Sequence, residues 1–279
     1  MKSRLAVPDA LYLKPLLFGL EKPDSPFELV TDIPAKNALK YARRSEEIRN
    51  AFLSPVDYAR HGAEYCLVPN VAVSSSTRTD TIQLFVKTDA RDIRTLAVDI
   101  RATTEIFLAK LVILEKFRTS SGEQSELQFI PSLPDVPSML AKADAALVVN
   151  YLPVSQSRQS GFSLDLVEEW NDLTGLPYIH GFWVGREEET TGAEIRGIVD
   201  SKQQGIPIRN KIAEDYANVL RLNSKEAVKY LSSFSYDFGD TEKESLSEFI
   251  RFAFYHGAIG DIPELHFFDL PPLVSPSRN

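Results

Sequence analysis

Two stretches of the chain carry residue types suited to holding a carboxylate. The first, Ser74-Ser75-Ser76-Thr77-Arg78-Thr79-Asp80-Thr81, packs hydroxyls between two strand-like runs. Such donors in a cleft bind the carboxylate and hydroxyl groups of a ring substrate, and Ser75 and Thr77 are the candidates. The same cluster also reads as a solvated turn. The second stretch, residues 99–105, is a strand–turn–helix unit. A helix start presents free N–H groups and partial positive charge, which favour an anion. Thr103 and Thr104 add hydroxyls there and Arg101 adds a charge. Thr103 also reads as a plain helix cap and Arg101 as a solvated cation.

The four histidines, His61, His180, His256 and His266, stand at no metal-ligand spacing with one another or with acidic residues. His180 lies on an apolar strand and is read two ways, as a base at a cleft or as a packing ring with one hydrogen bond. Asp57 and Glu47 give no sign of a catalytic pair. A nucleophile elbow is missing, as is a Gly-rich phosphate loop. No metal and no organic cofactor is expected.

Short apolar runs alternate with helical patterns, which predicts an α/β fold with a largely parallel sheet. Strands are expected near 4–7, 27–30, 51–53, 66–68, 71–73, 81–87, 95–99, 145–149 and 178–184. Helices are expected near 15–20, 35–43, 103–117 and 164–173, and the chain after 194 is expected to be helical. The two longest strands, near 81–87 and 178–186, flank the middle of the chain like crossings between lobes. The division expected is 1–88 with 187–279 as lobe I and 89–186 as lobe II. A ligand cleft belongs between them, at the carboxyl ends of parallel strands.

Composition narrows the partners. The 279 residues carry a formal charge of −8 and 43% hydrophobic residues, ordinary for a globular protein. Without a dense Lys/Arg run, nucleic acid is not an expected partner. The single Cys66 permits no intramolecular disulfide, and neither a signal peptide nor a membrane-length apolar run is readable. A cytoplasmic protein with a small anionic organic ligand is expected, and a homodimer is left open.

Several motifs resemble the chorismate dehydratases of the futalosine route to menaquinone, whose fold is that of type II periplasmic binding proteins. They are Lys14-Pro15-Leu16 with Gly19-Leu20, Ser54-Pro55-Val56-Asp57-Tyr58-Ala59-Arg60, Asp99 with Thr103-Thr104, and Ala143-Asp144-Ala145-Ala146-Leu147. The most specific runs from Asp165-Leu166-Val167-Glu168-Glu169-Trp170 to Thr174-Gly175-Leu176-Pro177-Tyr178, then Phe182-Trp183-Val184. Tyr236 with Gly239 and Ala253 with His256-Gly257 complete the order. The resemblance implies a two-lobed fold with two crossing strands and a central cleft. It also implies a carbon–oxygen lyase that removes water from chorismate. Tyr12 stands where the family has a substrate-facing Asn, and Asn150-Tyr151 where it has Gly-Asp. The resemblance therefore makes Tyr12 the candidate catalytic position. Asn150 and Tyr151 join Ser75, Thr77, Arg101, Thr103, Thr104 and His180 as substrate-binding candidates. The alternative is a non-catalytic or re-specialised binder of a small carboxylate on the same fold.

Overall fold

The computed structural model describes residues 2–87, 92–116, 127–150, 162–220 and 223–270. The first lobe opens with β1 (Ser3–Val7), α1 (Lys14–Leu17), β2 (Phe27–Thr31), α2 (Pro34–Ala42), β3 (Ile48–Leu53), α3 (Pro55–Ala59) and β4 (Cys66–Ser75). The second lobe holds β5 (Ile82–Val86), β6 (Thr95–Val98), α4 (Thr103–Lys116), β7 (Gln128–Pro131), α5 (Val136–Lys142), β8 (Ala145–Val149), β9 (Phe162–Asp165) and α6 (Leu166–Thr174). The chain then returns with β10 (Tyr178–Gly185) and closes with α7 (Gly192–Gly205), α8 (Arg209–Leu220), α9 (Ser224–Ser232) and α10 (Asp240–Tyr255).

Two five-stranded sheets form, in the orders β2-β1-β3-β10-β4 and β7-β6-β8-β5-β9. The α/β, two-lobed expectation is therefore met, with differences in its details. First, the sheets are mixed. β1 pairs in parallel with β2 and β3, and β6 with β7 and β8, but β10 runs antiparallel to β3 and β4, and β5 antiparallel to β8 and β9. Second, β5 belongs to the second sheet and β10 to the first, so the expected boundaries at 88/89 and 186/187 put each strand on the wrong side. An apolar run identifies a strand, but its sheet is chosen by its hydrogen-bonding partners. The crossings are the short connections 76–81 and 175–177, which leave side by side because Ser75 and Tyr178 are paired. Third, the expected strands 66–68 and 71–73 form one strand, β4, whose pairing with β10 jumps from Leu67 to Ala72, so a bulge with Asn70 at φ 63° stands where the break was expected. Pro69, which cannot donate to a ladder, falls in this unpaired bulge of an edge strand.

The expected helix at 164–173 begins as β9 and becomes helical only at Leu166. Asp165 makes that switch, its Oδ1 accepting from the Val167 and Glu168 N–H groups at 3.0 and 3.2 Å. Its Oδ2 accepts from the Thr79 and Asp80 N–H groups and from Gln83 Nε2 at 3.2, 2.6 and 2.8 Å. One buried carboxylate thus ties the first crossing to the head of α6. Gly175, at φ 72°, ends the helix in the left-handed conformation that glycine adopts without strain.

One apolar core runs through both lobes. It joins Ala51 and Leu53 of β3 to Leu84 and Leu96 of the second sheet. Helix α10 is the staple: Phe249 meets Trp170 of α6 and Phe107 of α4, each at 5.3 Å between ring centroids. Trp170 is fully buried, as expected of a core residue, and its Nε1 donates to Ser245 Oγ at 3.2 Å. Aromatic pairs of this kind add about 0.5–1.5 kcal/mol each beyond area burial, so closure of the lobes is well supported.

Candidate active site

The seam between the lobes is closed by hydroxyls. At the head of α4, Thr103 Oγ1 donates to Asp57 Oδ1 and Thr104 Oγ1 to Ser54 Oγ, both at 2.8 Å. Ser54 Oγ donates onward to Asp57 Oδ2 at 2.8 Å, and Thr104 Oγ1 accepts the Val56 N–H at 3.1 Å. In the closed structure the hydroxyls of both threonines are taken by partners of the other lobe. They join α4 of one lobe to α3 of the other, a partnership that residue types alone do not reveal. Arg101 is exposed and paired with Asp99.

The serine-rich crossing is also self-satisfied. Ser75 Oγ donates to the carbonyl of Ser233 at 2.6 Å and lies 3.0 Å from that of Thr77, while Thr77 is exposed. Asn150 holds the crossing, its backbone N–H on the Thr81 carbonyl at 2.7 Å and its Nδ2 on the Asp80 carbonyl at 3.1 Å. Tyr151 lies outside the described residues.

Tyr12 and His180 do come together. The His180 ring is 5.5 Å from Tyr12, 5.2 Å from Phe234 and 4.9 Å from Tyr178, and Tyr12 stacks on Phe234 at 5.3 Å. Tyr230 reaches Phe234 at 5.1 Å, and Tyr236 belongs to the same apolar cluster. Within this aromatic nest, His180 Nε2, Tyr230 OH, Tyr236 OH and Ser74 Oγ are buried without a hydrogen-bond partner among the described residues. Buried polar atoms are nearly always paired, and these four lie on adjoining elements.

Burial pushes the His180 imidazole down to about 3, so the ring is neutral across the physiological range. Burial first, and the facing Glu105 carboxyl second, raise the Tyr12 phenol, which stays protonated and able to donate. Glu105, in the first turn of α4, is the acidic group that sequence reasoning passed over. Desolvation, and then the nearby Asp57, push it up to about 7. The carboxyl that Asp57 faces is thus Glu105, and Glu47 takes no part in the seam. Tyr230, Phe234 and Tyr236 were also missed as site candidates; their aromatic density was the one available signal.

The seam has little free space. Between Ile33 and Pro34 of the first lobe and Asp99, Ala102, Leu147 and Val149 of the second lies a gap of about 60 Å³. A larger hollow of about 570 Å³ sits at the outer ends of β1 and β3, far from this chemistry. Its charges are already engaged, Arg44 with Glu189, Arg49 with Glu194 and Arg4 with Glu28 and Glu46. Among the described residues, no three His, Cys, Asp or Glu side chains gather as a metal ion would require. No helix among them is long and apolar enough to cross a membrane.

This architecture has known counterparts. The structure aligns with protein AF1704 of Archaeoglobus fulgidus at a TM-score of 0.72 and 17% identity, covering 92% of this chain and 98% of that one. It aligns with the periplasmic aliphatic sulphonate binding protein SsuA of Escherichia coli at 0.64 and 13%, covering 94% of each. The Candida albicans CA3427 product, which has the generic periplasmic-binding-protein fold, aligns at 0.62 and 12%, over 99% of this chain and 100% of that one. In sequence, the chain is 22% identical over 233 residues to a chorismate dehydratase of Thermus thermophilus, covering 80% of this chain and 85% of that protein. The family model described as menaquinone biosynthesis matches residues 4–255, and the chain belongs to that family.

Proposed function

We propose that the protein is a chorismate dehydratase-like hydro-lyase of menaquinone biosynthesis, acting in the cytoplasm. In this reading it removes water from chorismate to give an enolpyruvyl-oxy benzoate. The observation that carries the reading is the aromatic nest of Tyr12, His180 and Phe234, in which His180 Nε2 has no partner among the described residues and Tyr12 lies within electrostatic reach of Glu105 of the other lobe. Family membership and the activity of the Thermus relative point the same way. Aromatisation supplies much of the driving force for such a dehydration, so the protein's work is chiefly orientation and exclusion of water. Flat aromatic walls suit a six-membered ring, and phenol and imidazole donors suit its carboxylates.

A second reading is a non-catalytic binder of a small carboxylate. It draws on the closure of the seam and on the capture of Ser75, Thr103 and Thr104 by protein partners. Titration calorimetry with chorismate, followed by analysis of the cell contents, separates the two. Heat of binding accompanied by an aromatic product supports the lyase. Binding with chorismate recovered intact supports the binder, and no heat at millimolar chorismate contradicts both.

A further inference from the structure

Phe234 is the hub of the aromatic nest. Tyr12, His180 and Tyr230 stand around its ring at 5.3, 5.2 and 5.1 Å between centroids. The segment that follows α9 is held by its backbone, since Ser235 exchanges hydrogen bonds of 3.0 and 2.9 Å with Ser74 of β4. The Tyr236 carbonyl accepts the Ala72 N–H at 3.4 Å, which holds the next residue as well. Three side-chain atoms lack such pairing. His180 Nε2, Tyr230 OH and Tyr236 OH have no partner among the described residues, although these residues are only 9, 8 and 3% exposed. Taking a phenol out of water without a new partner destabilises a fold, and phenylalanine would fill the same space without that cost. Polar atoms from β10, α9 and the segment beyond α9 share this condition in one aromatic cluster.

We propose that Tyr230 and Tyr236, together with His180, contact the ligand directly and hold one of its carboxylates. The inference rests on the dehydratase reading for the identity of the ligand, and it adds the residues that grip one of the two acid groups. All three side chains can donate a hydrogen bond. Burial raises both phenols, which stay protonated, and lowers the imidazole, which stays neutral. A carboxylate only accepts, and its two oxygens have room for three donors. A ring hydroxyl would have to find an acceptor as well. Hydrogen bonds to an ionised oxygen are roughly twice as strong as neutral ones, which offsets the hydration the anion loses. Arg209 acts electrostatically on Tyr236, whereas the charge felt by Tyr12 is that of Glu105, so the Tyr236 side of the nest is the one that favours an anion. Tyr12 and Phe234, stacked on one another, supply flat faces beside it for the ring of the ligand. The phenols bind and orient, and no proton moves in this contact.

The test uses Tyr230→Phe and Tyr236→Phe, each of which deletes one oxygen and keeps the ring. Three readouts are taken on the full chain: calorimetric affinity for enolpyruvyl-oxy benzoate, kcat/KM for chorismate, and the melting temperature without ligand. The benzoate keeps both carboxylates of chorismate, lacks its ring hydroxyl and is not consumed. Each variant should bind it about 10- to 100-fold more weakly and lose a similar factor in kcat/KM. The ligand-free variants should melt at or above the wild-type temperature, because an unpaired buried group has been removed. Phenols that serve only the core give the reverse, a lower melting temperature with affinity unchanged, and that result overturns the proposal. A loss confined to chorismate moves the contact to the ring hydroxyl and overturns the carboxylate assignment. If one variant does not melt cooperatively, the other decides by the same readouts. Wild type that binds the benzoate without turning over chorismate overturns the dehydratase reading and leaves the contact standing, and wild type that binds neither compound overturns both.

Discussion

The hydroxyl bridge at the seam makes a quantitative claim about Thr104. This side chain is fully buried, its Oγ1 accepts the Val56 N–H at 3.1 Å, and it donates to Ser54 Oγ at 2.8 Å. Thr104→Val keeps the size and shape and deletes only the hydroxyl. Two hydrogen bonds disappear, worth about 0.5–1.5 kcal/mol each, and the Val56 N–H is left buried and unpaired, a penalty of about 1–3 kcal/mol. These contributions overlap, so the expected destabilisation of the closed protein is about 2–4 kcal/mol. For a chain of this size that lowers the melting temperature by roughly 3–7 °C. Thr104→Ser keeps both bonds and loses one methyl group, about 1 kcal/mol. Differential scanning calorimetry measures the pair, and small-angle scattering reports whether Thr104→Val also expands the molecule. A valine variant that melts within about 1 °C of wild type, or a serine variant that falls as far as valine, refutes the bridge.

Three further outcomes follow. Asp165→Ala removes the acceptor of five donors and leaves the Thr79, Asp80 and Val167 N–H groups bare; urea unfolding should show a loss of about 3–5 kcal/mol, with the 76–81 crossing opening first to hydrogen exchange. Glu105 has a raised pKa in the folded protein, so the native state holds its proton more tightly than the unfolded chain, and stability falls as pH rises from about 4.5 to about 7. Glu105→Gln should therefore match wild type in acid and exceed it above pH 7 by about 1–3 kcal/mol, as read by urea unfolding at several pH values. At Gly205 an added Cβ would fall 1.9 Å from the Pro15 carbonyl oxygen, a backbone atom that cannot turn aside. Gly205→Ala should thus cost more than about 3 kcal/mol or abolish soluble expression.

How far the sequence carries this account differs between elements. Most strands were legible because a buried strand is an apolar run, and α4 was legible because Phe107, Leu108 and Leu111 share a buried face. Sheet membership was not, since β5 and β10 have the same apolar character and differ only in which neighbour bonds them. The switch from β9 to α6 was missed, although Asp165 ahead of Leu166 is a capping signal. At the site, Tyr12 and His180 were picked out and do meet. Thr103 and Thr104 were picked out for a ligand, and their hydroxyls are held by Asp57 and Ser54. A hydroxyl's partner lies across space, and local spacing contains no trace of α3. Glu105 was passed over because a glutamate in the first turn of a helix is ordinary, and only the closed seam makes it unusual.

The central claim is that this seam dehydrates chorismate, and the most direct measurement is the product itself. Purified protein and chorismate should be incubated together, and the mixture resolved by chromatography with absorbance and mass detection beside an enzyme-free control. The account predicts an aromatic product lighter than chorismate by one water, formed in proportion to enzyme and absent from the control. Chorismate recovered unchanged at high enzyme concentration, in a sample that still binds it, would contradict the claim.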